Sequence, residues 1–205
     1  MPDLLEAIVG GGNQMTTYEE LYREYLADRI LVLNAEIDDN VIEDYVLYIM
    51  KWNKEDKNLP AENRKPIKIF ISSPGGSSFS ANIMVDVIMQ SKTPVIGIGL
   101  DIVASASYII YLACHERYSF ENTSYLQHEG DVTIENSRSK FKQTAEYFNE
   151  MEQKSKEFIL SRTTMTEEFY DSVYEQEMWM FPTKAKQLGI VHKIIGVDCD
   201  LDEVI

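Results

Sequence analysis

Short apolar runs alternate with amphipathic segments along the first half of the chain. The segment YEELYREYLADR, which follows Thr17, has early acidic residues and apolar positions at helical spacing, so it predicts a helix. Buried strands are predicted for ILVL (30–33), IKIFIS (67–72) and PVIGIG (94–99), and helices for VIEDYVLYIMKW (41–52), residues 79–91 and ASASYIIYLA (104–113). Strands that alternate with helices at this spacing favour an α/β domain with a largely parallel sheet.

One long amphipathic segment dominates the second half of the chain. Phe141, Ala145, Phe148 and Met151 recur at a helical period within residues 139–162, which predicts a helix about 36 Å long. Such a helix extends beyond a domain of this size, so we expect part of its apolar surface to contact another subunit. Short strands are predicted near 117–120, 124–128 and 190–195, and a short helix near 184–188.

The chain of 205 residues is short enough to form one domain. Three consecutive glycines at 10–12 indicate that residues 1–16 are a flexible N-terminal arm. We expect residues 17–198 to form the single domain and residues 199–205 a C-terminal tail.

Charge and composition exclude several functions. The formal net charge of −15 and the pI near 4.6 disfavour binding to nucleic acid or to an anionic membrane surface, because both would repel the protein. The first residues match neither a signal peptide nor a transit peptide, and no apolar stretch approaches a membrane span. We therefore expect no nucleic-acid partner and no membrane partner.

The cysteines and the absence of ligand motifs point to a cytoplasmic protein without a cofactor. Cys114 and Cys199 are far apart and belong to no CxxC or Cys/His cluster, which argues against a disulfide framework and a zinc site. The sequence contains no phosphate-binding loop and no metal-ligand spacing, so we predict no metal and no cofactor.

Two small-residue turns and one histidine carry the candidate chemistry. Ser73-Pro74-Gly75-Gly76 follows a buried strand and places unhindered N–H groups at a helix start, although an ordinary strand-to-helix turn has the same features. Ser105 stands among alanines where a second strand meets an apolar helix, a position that a simple N-cap serine could also occupy. His128 ends the strand SYLQH. The ordered combination of the three features indicates an activated serine, because a serine hydroxyl needs an adjacent base to become a nucleophile.

These motifs resemble the ClpP family of self-compartmentalising serine peptidases from about Tyr18 to Ile195. The resemblance rests on YEELYREYLADRILVL, IFISSPGG, IVASASYII, ENTSYLQH, the long helix and KAKQLGIVHKI, in that order. It implies an α/β ClpP/crotonase-like spiral of ββα units with a long protruding helix.

The resemblance also assigns residue roles. Ser105 matches the nucleophile, and His128 matches its general base. Gly76 and Ala106 match the backbone donors of the oxyanion hole. Alanine replaces the family's usual methionine at position 106, which we expect to be neutral because the donor is a main-chain group.

Three further departures from the family pattern concern the triad, the association of rings and substrate binding. A gapless count back from Gly189 puts the family's catalytic aspartate at Glu177 and its preceding arginine at Gln176. Asp171 and Glu175 are the alternatives for the third triad member. The arginine helps the family's rings associate, and the family's glycine-rich strand after the histidine is replaced here by EGDVTIENSRS.

The sequence thus predicts a serine endopeptidase that hydrolyses unfolded polypeptides inside a homo-oligomeric ring chamber. The resemblance implies a partner ATPase unfoldase as the source of any ATP dependence. The alternatives are a catalytically impaired ring subunit or scaffold, a crotonase-type acyl-CoA enzyme with the same oxyanion hole, and a signal-peptide-peptidase relative. The last would need a lysine base, and the ordered Ser105 and His128 argue against the acyl-CoA enzyme.

Overall fold

The structure is a computed structural model, and it describes residues 16–130, 132–135 and 137–204. Most of the predicted N-terminal arm, residues 1–15, lies outside the described residues. The first helix, α1 (Thr17–Ala27), is capped by Thr16 rather than Thr17, and Glu19 completes a capping box with it. The predicted strand ILVL is β1 (Ile30–Leu33).

The elements that follow β1 alternate between strands and helices as predicted. A π-helical segment (Ile42–Val46) continues into α2 (Leu47–Glu55), where the sequence predicted one regular helix. The next elements are β2 (Ile67–Ser73), α3 (Ser78–Gln90), β3 (Val95–Ala104), α4 (Ala106–Ala113), β4 (Glu116–Ser119) and β5 (Ser124–Gln127).

The last part of the chain contains an α-helix and a strand that the sequence did not predict. They are α6 (Glu167–Val173) and β6 (Met178–Met180), which stand between α5 (Arg138–Arg162) and α7 (Pro182–Gln187). The predicted strand 190–195 is reduced to β7 (Lys193–Ile194). A strand of three residues such as β6 leaves too few positions for an alternating pattern to be recognised.

Five strands form a parallel sheet in the order β1-β2-β3-β4-β7. The ten-residue β3 is longer than predicted, and on one edge it pairs with two different strands along its length. Its first half pairs with β4, and its end, from Ile102 to Ala104, pairs in parallel with β5. Strand β6 then adds to β5 in the antiparallel direction. The end of β3 is therefore surrounded by β2 and β5, and this is where the candidate residues collect.

The main core lies between the sheet and the helices. It includes the fully buried Leu31, Ile69, Met84, Ile110 and Tyr111. A second cluster on the opposite side of the sheet contains Ile98, Tyr118, Ile195, Cys199 and Val204, so residues after 198 also pack on the domain.

Helix α5 matches the predicted long helix within one residue, and most of it is not covered by its own domain. Only Ile159, near its C-terminal end, is buried. Phe141 and Tyr147 are about half exposed, at 52% and 51%. Within the described residues, none of the helices combines the length and apolar character needed to cross a membrane.

Candidate active site

Ser105 forms a sharp turn between β3 and α4. Its backbone has φ 54 and ψ −123, and only one other described non-glycine residue, Arg29, has a positive φ. A side chain in this conformation costs about 1–3 kcal/mol, and such strain is typical of functional positions. The turn presents the side chain at the start of a helix, as a nucleophile elbow does. Ser105 makes no side-chain capping bond to α4, so the alternative of a simple N-cap serine is not supported.

A second serine, Ser107, holds this turn in place. Its hydroxyl accepts a hydrogen bond from the Ala104 N–H at 2.8 Å and lies 2.8 Å from the carbonyl oxygens of Ser73 and Ala104. The residue is completely buried. Ser107 was not predicted from the sequence, because the pattern ASAS does not show which of its two serines turns inward.

The glycine turn after β2 packs directly against the Ser105 turn. A Cβ atom on Gly75 would lie 2.7 Å from the Ser105 Cβ and 2.9 Å from the Ala106 nitrogen. Gly75 and Gly76 have φ values of 101 and 143, which other residues rarely adopt. Glycine at position 75 therefore allows the two turns to meet, whereas glycine at position 76 allows the close approach of Ile37.

The two N–H groups that match the oxyanion hole have no acceptor in the described part of the chain. Gly76 lies beside Ile37, whose N–H donates to the Gly75 carbonyl and whose carbonyl accepts from Ser77, and neither bond uses the Gly76 N–H. Ala106 opens α4, so its N–H has no partner within the helix. Both donors are thus available to an anionic ligand.

Strand β5 brings His128 to the Ser105 turn. Ala104 pairs with Leu126, and the Ser105 N–H donates to the Leu126 carbonyl at 3.0 Å. His128 follows the end of β5 and is half-buried. Its Nε2 atom is buried and has no hydrogen-bond partner among the described residues. An unpaired buried polar atom costs about 1–3 kcal/mol, so this nitrogen is a strong candidate for a functional role.

The register of the last strand pair points from β6 towards His128. Gln127 pairs with Met178 in the antiparallel ladder, so the next pair outward would be His128 with Glu177. The Glu177 side chain is exposed, and its Oε2 atom accepts a hydrogen bond from the Trp179 indole at 3.0 Å. Within the described part of the chain, no hydrogen bond joins the side chains of Ser105, His128 and Glu177 to one another.

The two alternatives for the third triad member, Asp171 and Glu175, lie outside the β5–β6 strand pair. The Asp171 carboxylate, on α6, pairs with Lys156 of α5 at 2.6 Å. Glu175 is exposed in the turn after α6. Of the three carboxylates, Glu177 is therefore the one that directly precedes the strand paired with β5.

The other histidines are not part of this site. His115 accepts a hydrogen bond at Nδ1 from the Val95 N–H at the opposite end of β3, and burial lowers its pKa. Burial, followed by the charges of Arg117 and Arg162, lowers the pKa of His192 to about 4. Among the residues that the structure describes, no group of three or more His, Cys, Asp or Glu side chains could hold a metal ion.

Comparison with known proteins gives a consistent result over nearly the whole chain. The sequence model of the family described as Clp protease matches residues 12–198. The ATP-dependent Clp protease proteolytic subunit 2 of Treponema denticola is 28% identical over 193 residues, which cover 93% of this chain and 94% of the relative. The subunit 2 protein of Pseudomonas aeruginosa is 28% identical over 190 residues, covering 91% of this chain and 90% of the relative.

A solved structure shows the same fold. A point mutant of ClpP1 from Listeria monocytogenes superposes with a TM-score of 0.75 at 25% sequence identity, covering 90% of this chain and 99% of that chain. This confirms the predicted ClpP-like spiral with its long protruding helix. With the family match over residues 12–198, it establishes that this chain belongs to the Clp protease family.

Proposed function

We propose that this chain is a serine endopeptidase that hydrolyses unfolded polypeptides. The observation that carries the proposal is the strained Ser105 turn, which packs against the Gly75-Gly76 turn and is hydrogen-bonded to the strand that ends just before His128. Family membership supports a peptidase over the crotonase-type and signal-peptide-peptidase alternatives.

The proposed reaction is hydrolysis of a peptide bond through an acyl-enzyme on Ser105. The Ser105 hydroxyl attacks the peptide carbonyl carbon, and His128 takes its proton at Nε2. The oxyanion formed on the carbonyl receives hydrogen bonds from the Gly76 and Ala106 N–H groups. His128 returns the proton to the leaving amine, and the acyl group stays on Ser105. Water, deprotonated by His128, then releases the acid and restores the serine.

A covalent inhibitor tests this proposal directly. A fluorophosphonate should label Ser105, and mass spectrometry of a digest should find the label on that residue. Ser105→Ala should abolish both labelling and peptide hydrolysis while the protein keeps its fold and its assembly state. Full hydrolysis by the purified mutant would overturn the assignment.

We further propose that the subunits associate into a ring that encloses the active sites. Several large apolar side chains on the outer helices are exposed in the single subunit: Tyr18, Leu21, Leu47, Met50, Phe79, Ile83 and Phe141. Contiguous apolar patches mark interaction surfaces, and association into a ring would cover side chains of this kind. Light scattering should report a homo-oligomer, and a fully active species of 23.6 kDa would contradict the chamber.

The energy for unfolding protein substrates is proposed to come from a partner ATPase in the cytoplasm. The names of the relatives describe them as subunits of an ATP-dependent protease, and the sequence here contains no phosphate-binding loop. Short peptides should be hydrolysed without ATP, whereas a folded protein should require an added unfoldase and ATP. Degradation of a folded protein by this subunit alone would exclude the need for a partner.

A second candidate function is a catalytically impaired ring subunit. The observation in its favour is the missing hydrogen-bond connection between the described side chains of Ser105, His128 and Glu177, together with Gln176 in place of the family's arginine. The same labelling experiment decides between the two functions. An assembled ring in which Ser105 remains unlabelled would favour the scaffold.

A further inference from the structure

Trp179 is an exposed aromatic residue that binds the candidate triad carboxylate. Its side chain is 52% exposed, although it stands in the short strand β6. The indole N–H donates to Glu177 Oε2 at 3.0 Å. Glu177 directly precedes β6, and its backbone carbonyl also accepts a hydrogen bond from the Trp179 N–H at 3.2 Å. The indole has a single N–H donor, and this donor binds the carboxylate although the ring is accessible to solvent.

Strand β6, which carries Trp179, pairs with the strand that ends just before His128. Trp179 pairs with Leu126, and Met178 pairs with Gln127. Directly opposed residues in an antiparallel pair have Cβ atoms about 4.5–5.5 Å apart. Continued by one residue beyond the ladder, this register would oppose Glu177 to His128, on the face that Trp179 shares with Leu126.

A carboxylate has two oxygens, and the indole uses one of them. Oε2 of Glu177 is occupied, and Oε1 accepts no hydrogen bond from the described residues, so it can accept the Nδ1–H of His128. Glutamate has one more rotatable bond than aspartate and must lose more rotamer freedom to orient an imidazole. A donor bound to Oε2 limits the directions that Oε1 can take.

We propose that Trp179 is a positioning residue, which holds the Glu177 carboxylate for His128 and so compensates for the longer acidic side chain. This role rests on the proposed peptidase function. If Trp179 instead held Glu177 away from His128, replacement of Trp179 would raise kcat rather than lower it.

Two substitutions at position 179 separate the donor from the aromatic ring. Trp179→Phe keeps an apolar ring and removes the N–H, whereas Trp179→His keeps a ring N–H and loses apolar size. We expect kcat of Trp179→Phe to fall about tenfold, the scale of one hydrogen bond to a charged group, with KM unchanged because a positioning residue acts on the triad and not on substrate binding. Trp179→His should retain more activity than Trp179→Phe. If only apolar packing mattered, the order would be reversed.

The second tryptophan supplies a matched control. Trp52 is buried in the core, and its indole donates no hydrogen bond within the described residues. Trp52→Phe should lower thermal stability and leave kcat unchanged. In ¹⁵N-tryptophan-labelled protein, Glu177→Ala should shift the Trp179 indole signal and leave that of Trp52 in place. Circular dichroism and oligomer size would verify that each variant folds and assembles.

The outcomes distinguish this inference from the proposed function. Wild-type protein that a fluorophosphonate does not label at Ser105 would remove the peptidase function, and with it this role. Normal labelling of wild type, with a Trp179→Phe rate equal to or above it, would overturn the role of Trp179 alone. An indole signal that Glu177→Ala does not move would overturn it as well.

Discussion

The Ser107 hydroxyl lies 2.8 Å from the carbonyl oxygen of Ser73, so one side chain joins the last residue of β2 to the turn after β3. The same hydroxyl accepts the Ala104 N–H. This buried contact fixes the distance between the glycine turn and Ser105. The relative positions of the proposed nucleophile and oxyanion donors thus depend on a residue that does not itself take part in the chemistry.

Ser107→Ala should therefore reduce stability and activity together. The change leaves the buried Ala104 N–H without its acceptor, which costs about 1–3 kcal/mol. We expect a corresponding drop in the free energy of unfolding in urea and a lower kcat in peptide hydrolysis. Ser161→Ala is the control, because that exposed hydroxyl also donates to a carbonyl, at 2.7 Å, and should be nearly neutral. Equal effects of the two changes would contradict the structural role of Ser107.

Ser105→Gly should stabilise the protein while it removes the nucleophile. Glycine adopts φ 54 without the strain of about 1–3 kcal/mol and loses about 0.5–1 kcal/mol more backbone entropy on folding. The net gain of about 1 kcal/mol should raise Tm by about 3 °C in a chain of this size. Ser105→Ala keeps the strain and should not change Tm, because the serine side chain makes no capping bond. Identical Tm values for the glycine and alanine variants would show that the turn is unstrained.

Gly76→Ala should abolish activity through the backbone. The residue has φ 143, and an added Cβ would lie 2.7 Å from the Ile37 nitrogen, so the turn must move. We expect a loss of about 2 kcal/mol in stability and displacement of the Gly76 N–H from the oxyanion position. Gly196→Ala is the matched control, since Gly196 has φ 87 but its added Cβ would meet no described atom within 4 Å. It should cost about 1 kcal/mol and leave kcat unchanged.

The sequence predicts most of this site because its parts are local. The strand-to-helix turns at Ser73–Gly76 and Ser105, and the strand that ends before His128, are each encoded by a few adjacent residues, and the structure places them where predicted. The contacts between these parts are not local. Ser107 reaches Ser73 across 34 positions. Trp179 meets the site through a three-residue strand whose register no sequence pattern specifies.

An ion pair near the start of β2 should make stability depend on acid pH. Arg29 donates to both oxygens of Asp56, at 2.6 and 2.8 Å, and Thr93 donates at 3.1 Å. The Arg29 hydrogen bonds, despite desolvation by burial, lower the pKa of Asp56 below its usual value. An acid with a lowered pKa stabilises the fold above the unfolded value of about 3.9, and this contribution is lost as the pH falls through the folded pKa.

Asp56→Asn should therefore remove about 3 kcal/mol at pH 7, because Arg29 loses a buried partner. Urea denaturation between pH 2 and 7 should also show a weaker dependence of stability on pH below about 4 than in the wild type. Asp28→Asn breaks the exposed pair with Lys65 and should have a much smaller effect, because solvent screens that pair. Equal losses in the two variants at pH 7 would contradict the importance of burial.

Glu177→Gln tests the third triad position without a change in side-chain length. A carboxylate beside His128 would hold the imidazole tautomer and stabilise the charge formed during attack, whereas an amide cannot stabilise that charge. We therefore expect kcat to fall by several orders of magnitude, up to the factor of about 10⁴ found for such a replacement in other triads. Asp171→Asn is the control, because that carboxylate pairs with Lys156 at 2.6 Å and should affect the packing of α6 on α5 rather than kcat. If Glu177→Gln has a normal rate, the same test is applied to Asp171→Asn and Glu175→Gln. A fall in kcat in one of them would assign the triad role to that residue, and normal rates in both would leave a Ser105–His128 dyad.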